Sequence, residues 1–388
     1  MYDANRDMNT TPRSPDALLL SPGEKQPIPV LRPSLPAIDR VLPFLRRIDE
    51  TRIYSNNGPL WAAFRDGFAE WLANRAAADG VCVVPTSSGT TAIEVALRLR
   101  ATEGRQFCLM PSFTFIASAH AVCNAGLTPF LVDVDADALV VTPALAELAM
   151  RSMPTPPAAV LVISAFGAPP DVEAWETFER EHGVPVVFDA AAAATSLRRI
   201  GRQPLCVSLH ATKVFGIGEG GAVITTDRDA AARLESMIGF GFSSGGRQSE
   251  LRGGNYRISE YTAAMGLAVL QEIDAKDAAL RRLGAYYARA LSGSCARLQQ
   301  PSGDDWATMT FNVTLPRAEA QARLDRFDAE GVAWRRWWGL GTHRHDAFAD
   351  LPRDNLDVTD DIAPRVIGLP FFTDLSAAQI ARVAACLA

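Results

Sequence analysis

"VSLHATKVFGIGEGGAVI", residues 207–224, places a lysine where a solvated one does not belong. Lys213 lies among Val207, Leu209, Ala211, Val214, Phe215 and Ile217, and a cluster of glycines follows at once. An amine in apolar surroundings loses affinity for its proton and becomes a usable nucleophile. The competing reading is a lysine whose stem covers an apolar patch while its head reaches water. "GIGEGG" (216–221) matches GxGxxG, but it precedes the strand-like "AVITT" (222–226) and opens no helix, so a dinucleotide site is set aside. The glycines are expected to let backbone pass close to a bound cofactor.

Upstream of this stretch, short apolar runs alternate with helical patterns. "VCVV" (81–84), "FCLM" (107–110), "FLVDV" (130–134), "AVLVISAF" (159–166) and "VPVVFDA" (184–190) read as buried strands. "TTAIEVALRLR" (90–100), "IASAHAVCNAG" (116–126), "PALAELAMRS" (143–152) and "DVEAWETFEREHG" (171–183) read as helices, two of them ending in glycine. Continuous apolar strands separated by helices predict a mostly parallel sheet covered on both faces. Such sheets bind ligands beyond the carboxyl ends of their strands. A long helical pattern over 258–293 leads into a second, smaller α/β unit. The expected organisation is a tail over 1–27, a large domain with a lead-in segment over 28–269, and a small C-terminal domain over 270–388. The lead-in, residues 29–60, is rich in proline and turn signals, among them Asn56-Asn57-Gly58-Pro59.

The strand ends carry the chemistry. "PTSSGTT" (85–91) puts hydroxyls and a glycine at a helix N-terminus, where free N–H groups and the helix dipole can cradle a phosphate. It reads equally as a simple N-cap through Ser88 or Thr90. Asp189 ends a buried strand, either as a loop or capping aspartate or as the partner of a buried cation such as a protonated ring nitrogen. Together, a desolvated lysine, a lone carboxylate and a phosphate loop suit pyridoxal 5'-phosphate (PLP).

Composition excludes several other classes. The chain has 388 residues, 48% hydrophobic and 21% charged, in the range of a globular protein with two or three domains. A net charge of -6 gives no support to nucleic-acid or anionic-membrane binding. The six cysteines form no CxxC pair and are expected to be reduced. His343 and His345 lack a third ligand, so no metal site is expected. The apolar run Ala17–Leu20 is too short for a signal-peptide core, and no stretch approaches the roughly 18 apolar residues of a membrane span. A cytoplasmic location is expected.

At this point the residues resemble a known family. "SLHATKVFGIGEGG" is similar to the lysine signature of the DegT/DnrJ/StrS-type sugar aminotransferases, fold-type I PLP enzymes. "NNGP" (56–59), "SSGTTAIEVALRL" (87–99), "PSFTFIASAHAVCNAGLTPFLVDVD" (111–135), "HGVPVVFDAAAA" (182–193), "GGNYRISEYTAAMGLAVL" (253–270) and "GLPFFTDLS" (368–376) agree in order. The resemblance implies a mostly parallel seven-stranded sheet and a smaller C-terminal α/β domain. It implies that Lys213 holds PLP covalently and moves the proton, and that Asp189 pairs with the pyridine nitrogen. Phe115 would lie against the ring, and Ser88, Gly89, Thr90 and Ser208 would hold the phosphate. Asn255 would reach the phosphate from a neighbouring subunit of a homodimer. Asn57, Gly58 and His210 would line the sugar pocket. Arg247 in the glycine-rich loop 242–255 and Arg335, Arg336 and Trp337 in "WRRWWGLGTHRH" (334–345) are candidates for the nucleotide diphosphate and base.

Two departures stand out. Ala192 replaces the glutamine that the family usually carries after the pyridine strand, near the ring's phenolic oxygen. "SAFGAPPD" (164–171) lacks the family's histidine in that region, with Ser164 and Phe166 present instead. The implied activity transfers an amino group from an amino acid, glutamate, to a nucleotide-linked keto sugar, with a lean toward a 4-keto-6-deoxyhexose. The alternatives are a PLP enzyme acting on a cyclitol or another antibiotic precursor, and a non-catalytic PLP-binding regulator.

Overall fold

Prolines do not keep the lead-in irregular. In the computed structural model, which describes residues 26–242, 246–299 and 306–388, the lead-in contains helix α1 (Ile38–Thr51) and ends in the first residues of α2 (Pro59–Ala76). Pro43 sits inside α1, and the helix is held by burying Val41 and Ile48. Pro59 occupies the first position of α2, where its missing N–H costs nothing. The buried carboxylate of Glu260 then accepts from the N–H groups of Leu60 and Trp61, each at 2.8 Å. The turn signal at Asn56-Asn57 falls in the link between the two helices, where both residues are left-handed; the turn-rich reading is corrected over 38–51, where burial outweighs local proline content.

The alternation that follows is β1 (Cys82–Thr86), α3 (Gly89–Arg100), β2 (Phe107–Pro111), α4 (Ala117–Asn124), β3 (Thr128–Val132), α5 (Pro143–Ser152), β4 (Ala159–Ile163), α6 (Val172–His182), β5 (Val186–Asp189), β6 (Leu205–Ser208), β7 (Gly221–Thr225) and α7 (Arg228–Ile238). The seven strands form one sheet in the order β1-β7-β6-β5-β4-β2-β3, as expected in number and mainly parallel. Only β7 runs against its two neighbours, β1 and β6. Alternate residues of β4 enter two different cores: Val160 and Val162 pack on one face, Ala159, Leu161 and Ile163 on the other. That two-sided burial explains why the strands read as unbroken apolar runs.

Three boundaries differ from the sequence reading. The strand expected over 159–166 stops at Ile163, because Phe166 takes the left-handed conformation (φ 52°) in a 3-10 turn over Ala165–Gly167. The strand expected over 130–134 is shifted to 128–132. The helical pattern over 258–293 divides into α8 (Glu260–Leu270) and α9 (Ile273–Ala290), with no glycine or proline marking the break.

Beyond α9, β8 (Arg297–Leu298), β9 (Phe311–Thr314), α10 (Ala320–Ala329), α11 (Asp357–Ile362), β10 (Val366–Leu369) and α12 (Ala377–Leu387) build an antiparallel three-stranded sheet with helices. The start of the described chain joins this part: Ile28 donates to Gly331 O, and Ala333 donates back to Ile28 O, both at 2.9 Å. The expected tail lies outside the described residues up to position 25, as do positions 243–245 of the glycine-rich loop. No helix among the described residues is long and apolar enough to cross a membrane.

One glycine couples the sheet to the start of α3. Gly221 pairs in register with both Thr86 of β1 and Ser208 of β6. A Cβ at Gly221 would sit 2.4 Å from the carbonyl carbon and oxygen of Ser88. Gly221→Ala is therefore expected to destabilise the protein by about 1–3 kcal/mol, the usual cost of overpacking a filled interior. Denaturant unfolding of the variant, read against wild type, checks this; an unchanged midpoint would contradict the close approach.

Candidate active site

The carboxyl ends of β1, β4, β5 and β6 open onto one cleft of about 450 Å³. Its size suits a small-molecule site. Ser88, Gly89, Thr90, Phe115, Asp189, Ser208, His210, Lys213, Arg335 and Trp337 line it together, although they span 250 positions of the chain.

At the first strand end, Ser88 caps α3 by accepting from Thr91 N at 3.1 Å. The capping reading and the cradle reading are compatible, because the cap uses only the Ser88 hydroxyl and the Thr91 amide. The amides of Gly89 and Thr90 precede the first intrahelical donors and point out of the helix start. Gly89 is glycine for contact with β6: a Cβ there would lie 2.8 Å from Ser208 Cβ. Helix amides and the Ser208 hydroxyl are thereby held side by side. The glycines after Lys213 serve the same kind of packing. Gly216 lies over the Ala211 carbonyl, and Gly221 over the Ser88–Gly89 turn. The expectation that they make room for a cofactor is corrected for these two; of the cluster, only Gly220 lines the cleft.

Asp189 is buried at the end of β5. Ser118 Oγ donates to its Oδ2 at 2.6 Å and Ala191 N–H donates to its Oδ1 at 3.1 Å. Burial raises its pKa above the usual carboxylate range, against these two hydrogen bonds and the attraction of Lys213. The Lys213 amine makes no hydrogen bond among the described residues. Burial lowers its pKa to about 8, and Asp189 pulls it back up. His210 Nδ1 accepts from Thr212 N–H at 3.2 Å and lies 2.8 Å from Thr212 Oγ1. Its ring proton then belongs on Nε2, which faces Glu219 Oε1 at 3.5 Å.

On the far side of the cleft, Arg335 bridges to Gly368 of β10, and a turn begins at Trp337. Side chains alternate along a bridged segment. Arg335 and Trp337 face the cleft, with the guanidinium 5.3 Å from the indole centroid. Arg336 points the other way: it donates to Pro364 O at 2.9 Å and lies over Trp334. Its assignment to the substrate is corrected for that reason.

Four other sequence candidates lie outside this cleft in the single chain. Gly58 is fixed by packing, since a Cβ would meet Ile53 Cγ2 at 2.7 Å and Glu260 Cδ at 2.8 Å. Asn57 is left-handed (φ 57°), and its buried Oδ1 lacks a partner among the described residues. Asn255 accepts from Arg257 and is exposed, as is Arg247. His343, singled out with His345, uses both ring nitrogens internally, on Ser112 Oγ at 2.7 Å and Asp360 Oδ1 at 2.9 Å. Sequence reasoning gave no role to Ser118, which lies 71 residues from its partner Asp189; Trp338, offered with Trp337 as a border for the base or sugar, lines the cleft and stacks on Phe166 with centroids 3.9 Å apart. No local pattern announces the Ser118–Asp189 contact.

The residues present fit PLP. Asp189 is a buried acceptor suited to a ring N–H, the Gly89 and Thr90 amides with Ser208 form an anion cradle, and Lys213 offers an unengaged amine. Phe115, 55% exposed, presents an uncovered ring at the cleft edge.

Comparisons with known proteins agree. The model of the DegT/DnrJ/EryC1/StrS aminotransferase family matches residues 39–388. A UDP-N-acetyl-3-dehydro-alpha-D-glucosamine 3-aminotransferase from Acidithiobacillus ferrooxidans is 30% identical over 78% of this chain and 82% of its own length. DesI, solved in the presence of its TDP-sugar product, superimposes with a TM-score of 0.81 at 29% identity, covering 94% of this chain and 93% of DesI. DesV from S. venezuelae, solved with a ketimine intermediate, gives 0.79 at 26% identity over 93% and 98% of the two chains. The chain belongs to the DegT/DnrJ/EryC1/StrS aminotransferase family, whose enzymes depend on PLP.

The electrostatics of the pair can be tested without substrate. In the cofactor-free protein, acylation of Lys213 is expected to reach half its maximal rate near pH 8. Asp189→Asn removes the charge that favours the ammonium, so the midpoint should fall further. Competitive labelling with peptide mapping reads both values. A midpoint near 10.5, the ordinary lysine value, would show a solvated amine.

Proposed function

We propose that this member of the family transfers an amino group from glutamate to the keto carbon of a nucleotide-linked sugar, a 4-keto-6-deoxyhexose. The observation that carries the reading is the unengaged Lys213 amine, its pKa lowered by burial to about 8, at the same cleft as the buried Asp189. The relatives supply the substrate class: one is named for a UDP-sugar ketone, and another was solved with a TDP-sugar.

When bound, PLP supplies an aldehyde for imine exchange and a ring that accepts the electron pair left by a departing proton. Asp189 would hold the ring nitrogen in its protonated form, which relieves its own costly burial. The Gly89 and Thr90 amides and the Ser208 hydroxyl would bind the phosphate, and Phe115 would cover one ring face. Lys213 Nζ, once released from the cofactor, would move a proton in each half-reaction: from the donor's α-carbon to C4′ of the cofactor in the first, and from C4′ to the new amine-bearing carbon of the sugar in the second. A neutral amine is required for the first step, and a pKa of about 8 leaves a useful fraction neutral at physiological pH.

Arg335 beside Trp337 offers a cation for the diphosphate and an aromatic edge for the base or sugar. Asn255, Asn57 and Arg247 would serve the cleft of a second copy, in a homodimer whose sites form at the interface. The exposed face of α1, with Ile38 and Leu42, supports such an association.

Incubation with PLP, glutamate and either 4-keto or 3-keto sugar nucleotides tests the reading, with mass spectrometry of the product. Amination of the 4-keto substrate is expected, and Lys213→Ala should lower turnover by about 10³-fold or more. If neither ketone yields an amino sugar, the substrate class is wrong.

A further inference from the structure

Ser164 is a buried hydroxyl with nothing to bind. It is 5% exposed, its Oγ has no hydrogen-bond partner among the described residues, and it lines the cleft beside Asp189 and Ala192. Buried hydroxyls are normally paired, and one that is not calls for an explanation at the site it faces. Its backbone is held firmly. Ser164 N–H donates to Asp189 O at 2.9 Å, and Gly167 N–H donates to Ser164 O at 3.0 Å, closing the turn that contains left-handed Phe166. That turn packs directly on residue 192: a Cβ on Gly167 would lie 2.6 Å from the Ala192 carbonyl oxygen.

The strand order says which part of the cofactor this hydroxyl meets. β6, β5 and β4 are consecutive in the sheet and end in Ser208, Asp189 and, one residue on, Ser164. In PLP the ring nitrogen has the phosphate-bearing edge on one side and the edge bearing the methyl and phenolic oxygen on the other. With the nitrogen at Asp189 and the phosphate between α3 and Ser208, the phenolic edge faces β4. The residues there are Ser164, Phe166 and Ala192, and of their side chains only that of Ser164 can donate. Elsewhere in the cleft, Thr114 is engaged with Ser118 and His210 with Thr212.

We propose that Ser164 Oγ donates a hydrogen bond to the phenolic oxygen of PLP and so replaces the polar contact that Ala192 cannot make. The inference rests on the cofactor assignment above, and the experiment separates the two. Wild type and variants are reconstituted with PLP, and the visible band is titrated with pH. Lys213→Ala is the control that should lack the band. A donor to the phenolic oxygen withdraws electron density and eases loss of the imine proton. Ser164→Ala should therefore raise the titration midpoint by about one pH unit and weaken PLP binding about five-fold. The ionisable side chains that line the cleft, Asp189, His210, Lys213, Glu219 and Arg335, stay in place in every Ser164 and Ala192 variant. Ser164→Thr, which keeps the hydroxyl, should titrate as wild type. Ser164→Cys, a weaker donor of similar size that spares the fold, should fall between. Adding Ala192→Gln to Ser164→Ala should return the midpoint toward wild type. A band present in wild type whose midpoint is unmoved in Ser164→Ala and Ser164→Cys overturns the Ser164 contact and leaves the cofactor assignment standing. Equal shifts in Ser164→Ala and Ser164→Thr overturn it as well, since packing and not the hydroxyl would then be responsible. Absence of any band in wild type overturns both.

Discussion

A carboxylate and an amine share one water-poor cleft, and burial disfavours the charged form of each. Asp189 is pushed up and Lys213 is pushed down, while their mutual attraction works in the opposite direction for both. Desolvation is the larger effect in each case. A pair sealed into a full ion pair would be stable and inert. Here neither group has what its charge requires. Asp189 has two hydrogen bonds but no cation in contact, and Lys213 has no acceptor among the described residues. The site therefore holds affinity for a group that brings a cationic N–H to the acid and an electrophilic carbon to the amine.

That arrangement depends on close backbone approach. The Gly89 and Thr90 amides reach Ser208 only because two glycines stand where the surfaces meet, Gly89 on the helix and Gly221 on the strand. The reversed direction of β7 is part of the same device. It returns the chain so that Gly221 begins the strand at the edge where β1 and β6 end. A parallel strand would carry its first residue to the opposite edge of the sheet.

Much of this was legible from residue order. The strands of the large sheet announced themselves because both faces are buried, so each reads as an apolar run. Asp189 and Lys213 were legible because each breaks such a run. What sequence could not give was direction and long-range pairing. Arg335 and Arg336 look alike in a string, yet in an extended segment neighbours face opposite ways, and only one meets the cleft. Ser118 is an ordinary helix serine until the fold carries it to Asp189. Ser164 looked like a lost histidine; its unpaired hydroxyl appears only when its surroundings are counted. The helices of the lead-in were hidden by their prolines, because the forces that form them are burial and a cap from Glu260, 200 residues away.

Those hidden helices bear on the chemistry. The turn that carries Lys213 is closed by its own backbone: Ala211 donates to Gly218 O at 2.7 Å and Ile217 to Leu209 O at 2.8 Å. Phe215, two residues beyond the lysine, is fully buried against α2, with its ring 4.5 Å from Phe68 and 5.6 Å from Trp71 between centroids. Nucleophile placement is sensitive to shifts of an ångström or less. Helix α2, which begins at the end of the lead-in, therefore packs against the lysine turn from behind. Glu260 caps α2, α2 clamps Phe215, and Phe215 steadies the amine, so a carboxylate outside the cleft helps to set the position of the group that reacts within it.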